Sequence, residues 1–297
     1  MYRWNQIFIA SHKVFFIIFG IFGNINLLYI IFTTPKLRSK SSFLQAVQSS
    51  SHIFCIINSF IDIYLLLSDT KISQELCFHY IFPVVFCFCL QATIMFFILL
   101  DILLNLLFPI ALRNVKDWKY VIAMSIGPCV HGAVVVVFGF QNIDDKLLVL
   151  CNPPSALPRS LRKVVFHGIA VVNTLSMFLF LILIFIFRKR GQRKSYGSKV
   201  MTHLKMSAAF FIVSTYFSTL AASFLILLGY SGEDFYNMIG NLSISAMFAY
   251  SHTFYTIIWR SPDYRKRFIS LYVKNSSPKV VNFAPSRIKN RSAPSEI

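Results

Sequence analysis

Apolar residues fill this chain in seven long blocks separated by short polar gaps, at residues 14–34, 43–68, 77–108, 120–140, 164–187, 206–230 and 235–259. Each block matches the roughly 20 apolar residues that a bilayer-spanning helix needs. The runs are continuous and not ten-residue alternations, so they predict helices and not a β-barrel. The longest, CFHYIFPVVFCFCLQATIMFFILLDILLNLLFPIALR over 77–113, opens on a cysteine, reaches one acid, Asp101, near its far end, and closes on Phe-Pro and an arginine. The pattern predicts an all-α membrane protein, a seven-transmembrane helix bundle over 14–259. Residues 1–13 precede it as a short extracellular N-terminus with no removable signal peptide. After Trp259, SPDYRKRFISLYV alternates bases with Tyr264, Phe268, Ile269 and Tyr272. That predicts a short amphipathic C-terminal helix over 260–273, its basic face toward anionic lipid. The Ser/Pro/Asn-rich stretch 274–297 predicts a disordered cytoplasmic tail.

Composition agrees. Apolar residues make up 56% of the chain and charged residues only 13%, against about 25% in soluble domains. The formal charge of +18 raises nucleic acid as a partner, but its position argues against that. Lys36, Arg38 and Lys40 fill the first gap, Arg113, Lys116 and Lys119 the third, and Arg188 to Lys199 the fifth. The alternate gaps hold Asp69, Glu75, Asp144, Asp145, Glu233 and Asp234, offset in the fourth by Arg159, Arg162 and Lys163. By the positive-inside rule this is a multi-pass plasma-membrane protein with its N-terminus outside and C-terminus cytoplasmic. The partner it implies is the lipid bilayer, not nucleic acid. On this topology the sequons at Asn241, Asn275 and Asn290 should stay unglycosylated.

Two cysteines fall at predicted outer ends, Cys77 opening the third block and Cys151 in the fourth gap. An oxidising compartment favours a disulfide between them, the alternative being two free thiols. Cys55, Cys87, Cys89 and Cys129 lie within blocks and read as small apolar residues. Ionisable groups inside a membrane are costly and mark function. Asp62, in the outer half of the second block, and His79, near the outer end of the third, are candidates to line an extracellular pocket and meet a polar or cationic ligand. The alternative for each is an interhelical hydrogen bond or snorkelling. Asp101 stands where it can bond loop donors. His52, His131, His167 and His252 occur singly, with no metal spacing.

The first block holds Gly23-Asn24, an LRSK turn follows at 37–40, a cysteine stands 24 residues before Asp101, and Phe108-Pro109-Ile110 comes after it. In these features the chain resembles a rhodopsin-type G-protein-coupled receptor. It is similar more closely to the nematode chemosensory serpentine receptors of the Srsx class, through GNINLLYIIFTTPKLRSKSS, FPIALR, CNPPSAL and WRSPDYRKRF over about residues 15–268. The resemblance implies an extracellular ligand, a heterotrimeric G protein as cytoplasmic partner and no cofactor. It places Asn24 and His52 in the bundle core, and Asp101, Arg113, Lys116 and Tyr255 at the partner-facing helix ends. Against the family pattern, Ile102 stands where an arginine follows the acid, and His52 where an aspartate holds sodium. Ser251-His252-Thr253-Phe254-Tyr255 keeps only the tyrosine of the seventh-helix motif, and FFIVSTYFSTLAA lacks the tryptophan-and-proline switch.

The expected function is a chemosensory receptor. The alternatives are a receptor-like protein with lost or atypical coupling, and a small-solute transporter, though the last three blocks contain no proline to break their helices. No paired acids, Ser/His dyad or HExxH suggests an enzyme. Residues 235–259 hold no lysine for a retinal Schiff base.

Overall fold

The computed structural model describes residues 3–68, 70–143, 146–191, 205–230 and 232–273. The loop acids Asp69, Asp144 and Asp145, the bases Arg193, Lys194 and Lys199, and the tail with Asn275 and Asn290 lie outside these. The described chain is almost wholly helical. In order it runs α1 (Arg3–Thr33), α2 (Lys40–Ser68), α3 (Gln74–Leu107), the short α4 (Pro109–Arg113), α5 (Asp117–Gln141), the short α6 (Pro153–Ala156) and α7 (Arg159–Gly191). It ends with α8 (Lys205–Leu227), α9 (Gly232–Arg260) and α10 (Pro262–Tyr272). Six of these helices are long and apolar enough to cross a membrane. The seventh long helix, α9, has 29 residues but mixes its apolar positions with Asn237, Asn241, Ser251 and His252.

The outer surface is that of a chain solvated by lipid. On α5 the residues Ile122, Ile126, Val130, Val134 and Phe138 recur every fourth position and are exposed, a stripe far larger than water tolerates. The opposite face of α5 carries Gly132 and Gly139, where an added Cβ would lie 2.9 Å from the Phe86 carbonyl oxygen and 2.2 Å from the Phe78 ring. Small residues here let α5 approach α3 closely, the usual device for helix packing without a hydrophobic driving force.

Three features depart from the expected outline. Helix α1 begins at Arg3, well before residue 14, because Gln6, Ile9, Ala10, Lys13 and Ile17 share one buried face. At 1.5 Å per residue its 31 residues outreach a hydrocarbon core of about 30 Å. The gap between α5 and α7 is ordered by a two-stranded antiparallel sheet, β1 (Ile72–Ser73) against β2 (Leu147–Leu148), and by α6, whose N-cap Asn152 accepts from the Ser155 amide. Within α8, Ile212–Tyr216 forms a π-helical turn; Ser245 of α9 donates to the Ser214 carbonyl there at 2.9 Å. The C-terminal helix α10 follows the expected outline and lies against α1 and α2 through Tyr264, Phe268 and Leu271. The Tyr264 and Ser42 hydroxyls are 3.1 Å apart, and the Tyr272 hydroxyl donates to Asn26 at 2.8 Å. Arg265 and Lys266 stay on its exposed side. Burial pushes the Tyr264 phenol above its ordinary pKa, partly offset by the Ser42 bond.

Candidate functional site: two cavities sharing a wall

Cys77 and Cys151 are joined by a disulfide, which pins the β2–α6 segment over one end of the bundle. The Gln74 side chain adds a bond to the Ala156 carbonyl at 2.9 Å. Cys151, Asn152, Pro153 and Pro154 thereby become one wall of a cavity of about 110 Å³. Its other walls are mostly apolar, with Ile81, Val84 and Phe88 from α3, Phe166 from α7, and Met247 and Tyr250 from α9.

Into this cavity the structure places Asp62, and with it a residue that sequence reading put outside the bundle. Lys13 of α1 is ion-paired to Asp62 of α2, and both are buried. Asp62 is therefore not the open carboxylate expected for a cationic ligand: Oδ2 is taken by Lys13, while Oδ1 is buried without a hydrogen-bond partner among the described residues. The signal was present in the chain, since Lys13 falls on the same face as Ile9 and Ile17. Treating a charge as a span boundary hid it. His79 goes elsewhere. It is exposed, bonds the Glu75 carbonyl of its own helix and stands edge-on to Phe140, so it does not line the cavity.

A second cavity, about 210 Å³, opens toward the other end. Gln45, Gln48, His52, Gln91, His252 and Thr253 give it polar walls, and Ile98, Leu99 and Ile102 an apolar one. His52 is buried with its ring 5.4 Å from that of Tyr250. Arg260, the last residue of α9, also lines this cavity. It donates to Ser207 at 2.7 Å, and its Nε is buried without a partner among the described residues. Thus Ile102 sits where an arginine was expected, and another arginine, from a different helix, enters the same space. Phe88, Ser218, Thr219, Ala246 and Tyr250 line both cavities, forming a partition one side chain thick. Behind it, Asn24 of α1 donates to the Tyr250 carbonyl at 2.9 Å, and Asn173 of α7 donates to Thr219 at 2.9 Å.

The remaining candidates separate. Asp101 is fully buried and accepts from Asn105 at 2.7 Å, from Tyr120 at 2.8 Å and from Ser41. It knits α2, α3 and α5 and is not open to a partner. Tyr255 is turned toward α1, donating to the Phe19 carbonyl at 2.9 Å, away from the second cavity. Arg113 and Lys116 are exposed between α4 and α5. No group of three or more metal-ligating side chains occurs among the described residues.

No curated protein matches this chain. The family model described as serpentine type 7TM GPCR chemoreceptor Srsx matches residues 17–272, from the buried face of α1 to the last residue of α10. That range takes in most of α1, the other six long helices, the disulfide and both cavities apart from Lys13, and the chain belongs to the Srsx family of serpentine seven-transmembrane chemoreceptors.

Proposed function

We propose that this receptor stands in the plasma membrane with its disulfide end outside, binds a small extracellular ligand in the 110 Å³ cavity, and signals to a heterotrimeric G protein at the opposite end. The observation that carries this reading is the shared partition. A ligand pressing on Phe88, Thr219 or Tyr250 acts on side chains that also wall the second cavity. Binding therefore biases the shape of that cavity without a long chain of intermediates, which is a population shift between two bundle states. The π turn at Ile212–Tyr216 next to Thr219 is a natural place for the bend, since such turns mark functional sites in helices.

On the partner side, Arg260 supplies the cation that position 102 lacks, and the exposed Arg113 and Lys116 widen the basic face. This favours an atypical contact over a lost one. The test is ligand-driven G-protein activation in cells that display the receptor, using an odorant panel and wild type beside Ala246→Leu, which thickens the partition. At equal surface display the response should disappear in the variant. An undiminished response, or accumulation of labelled solute without G-protein output, would refute the reading. Epitopes at the two termini check orientation, and a C-terminal tag reachable from outside would overturn it.

A further inference from the structure

Two residues that line the first cavity, Asp62 and Asn152, each carry a buried polar atom with no hydrogen-bond partner among the described residues: Oδ1 of Asp62 and Nδ2 of Asn152. The orientation of the Asn152 amide is set by chemistry, because its Oδ1 accepts from the Ser155 amide at 3.1 Å. The free atom is therefore a donor, whereas the free atom of Asp62 is an acceptor. Several other polar side chains of the lining already donate within the protein: Ser218 and Thr219 to the Thr215 carbonyl and Ser243 to the Gly240 carbonyl. Asn58 donates to the Phe54 carbonyl, and Ser59 to the Cys55 carbonyl and the Met247 sulfur.

From this we infer that the ligand is an uncharged, largely apolar molecule carrying one hydrogen-bond donor and one acceptor, such as an alcohol, a primary amide or a hydroxy-ketone. Its donor goes to Asp62 Oδ1 and its acceptor to Asn152 Nδ2. The inference rests on reading this cavity as the ligand site. The charge argument decides the class. Lys13 and Asp62 already neutralise each other away from water. An ammonium ligand would have to share Asp62 with Lys13 and leave a net positive charge in an apolar pocket. A carboxylate would contest Lys13 and leave Asp62 uncompensated. Breaking a buried pair in this way is strongly unfavourable, whereas a neutral donor satisfies Oδ1 and leaves the pair intact. The apolar body then rests on Ile81, Val84, Phe166 and Met247.

The experiment measures thermal stability of the purified full-length receptor in detergent with five probes of one chain length: hexanol, hexanamide, hexylammonium, hexanoate and hexane. Hexanol and hexanamide should stabilise the wild type with apparent affinities at least about tenfold above either ion. Lys13→Met/Asp62→Leu replaces the pair with apolar residues, an exchange that folded proteins tolerate. It should abolish that advantage, which separates binding from effects on the micelle. Lys13→Met alone should raise the response to hexylammonium. The inference is overturned if an ion stabilises the wild type as well as the amide does, if no neutral probe stabilises it, or if the amide acts equally on the double variant. No signalling partner enters this measurement, so failure of the ligand class and failure of G-protein coupling register separately.

Discussion

Replacing Tyr120 by phenylalanine takes one hydroxyl from the Asp101 carboxylate and leaves the ring packed against Leu44, Ile98 and Met124. Asp101 Oδ1 then keeps only Asn105, and Oδ2 keeps Ser41. A hydrogen bond to a charged group contributes about 1.5–3 kcal/mol. The ammonium of Lys40, 5.3 Å from the Tyr120 ring centre, polarises the hydroxyl in the same direction. We expect a loss of about 2 kcal/mol, or roughly 5 °C in the Tm of purified receptor at a few degrees per kcal/mol. Asp101→Asn supplies the control. It preserves an acceptor for Tyr120 and lets Ser41 reverse its role, but removes the charge. In that background Tyr120→Phe should cost only about 1 kcal/mol, leaving a coupling of about 1 kcal/mol in the double-mutant cycle. Melting followed by size-exclusion of the detergent-solubilised protein gives all four values. If Tyr120→Phe shifts Tm by less than about 1 °C, or costs the same in both backgrounds, Asp101 is not the charged tie between α2, α3 and α5 described above.

Three further outcomes follow from other contacts. Gly132→Ala puts a Cβ 2.9 Å from the Phe86 carbonyl oxygen, which no rotamer change relieves, so the α3–α5 contact must open at a cost of about 1–3 kcal/mol; Gly168→Ala, with nothing within 4 Å, should show no loss in the same melt. Arg260→Gln should reduce G-protein activation at least about tenfold, as expected when a charged hydrogen bond is weakened, while leaving probe-induced stabilisation unchanged; equal activation would remove Arg260 from the partner contact. Cys151→Ser should release the segment bearing Asn152 and weaken hexanamide stabilisation, and a reductant should reproduce this in wild type yet add nothing to the variant.

The chain itself determined the architecture. Seven apolar blocks, bases concentrated in alternate gaps and a low charge fraction leave few alternatives once backbone groups must be satisfied without water, and Cys77 and Cys151 already stood at matching ends. The amphipathic spacing of Tyr264, Phe268 and Tyr272 placed α10 in the same way. Periodicity is local, so it survives without knowledge of neighbours. The site depended on what lies across a helix interface, and periodicity does not encode that. Lys13 and Asp62 are 49 residues apart, and only the packing of α1 on α2 turned a presumed open carboxylate into half of a neutral pair. Asp101 carried a family resemblance in sequence, but three donors from three helices made it a buried tie. Arg260 was one base among several after Trp259 until α9 aimed it into the cavity that Ile102 lines. Blocks of hydrophobicity are additive along a chain, whereas the charge state and reach of a buried polar group are set by partners that folding alone brings near.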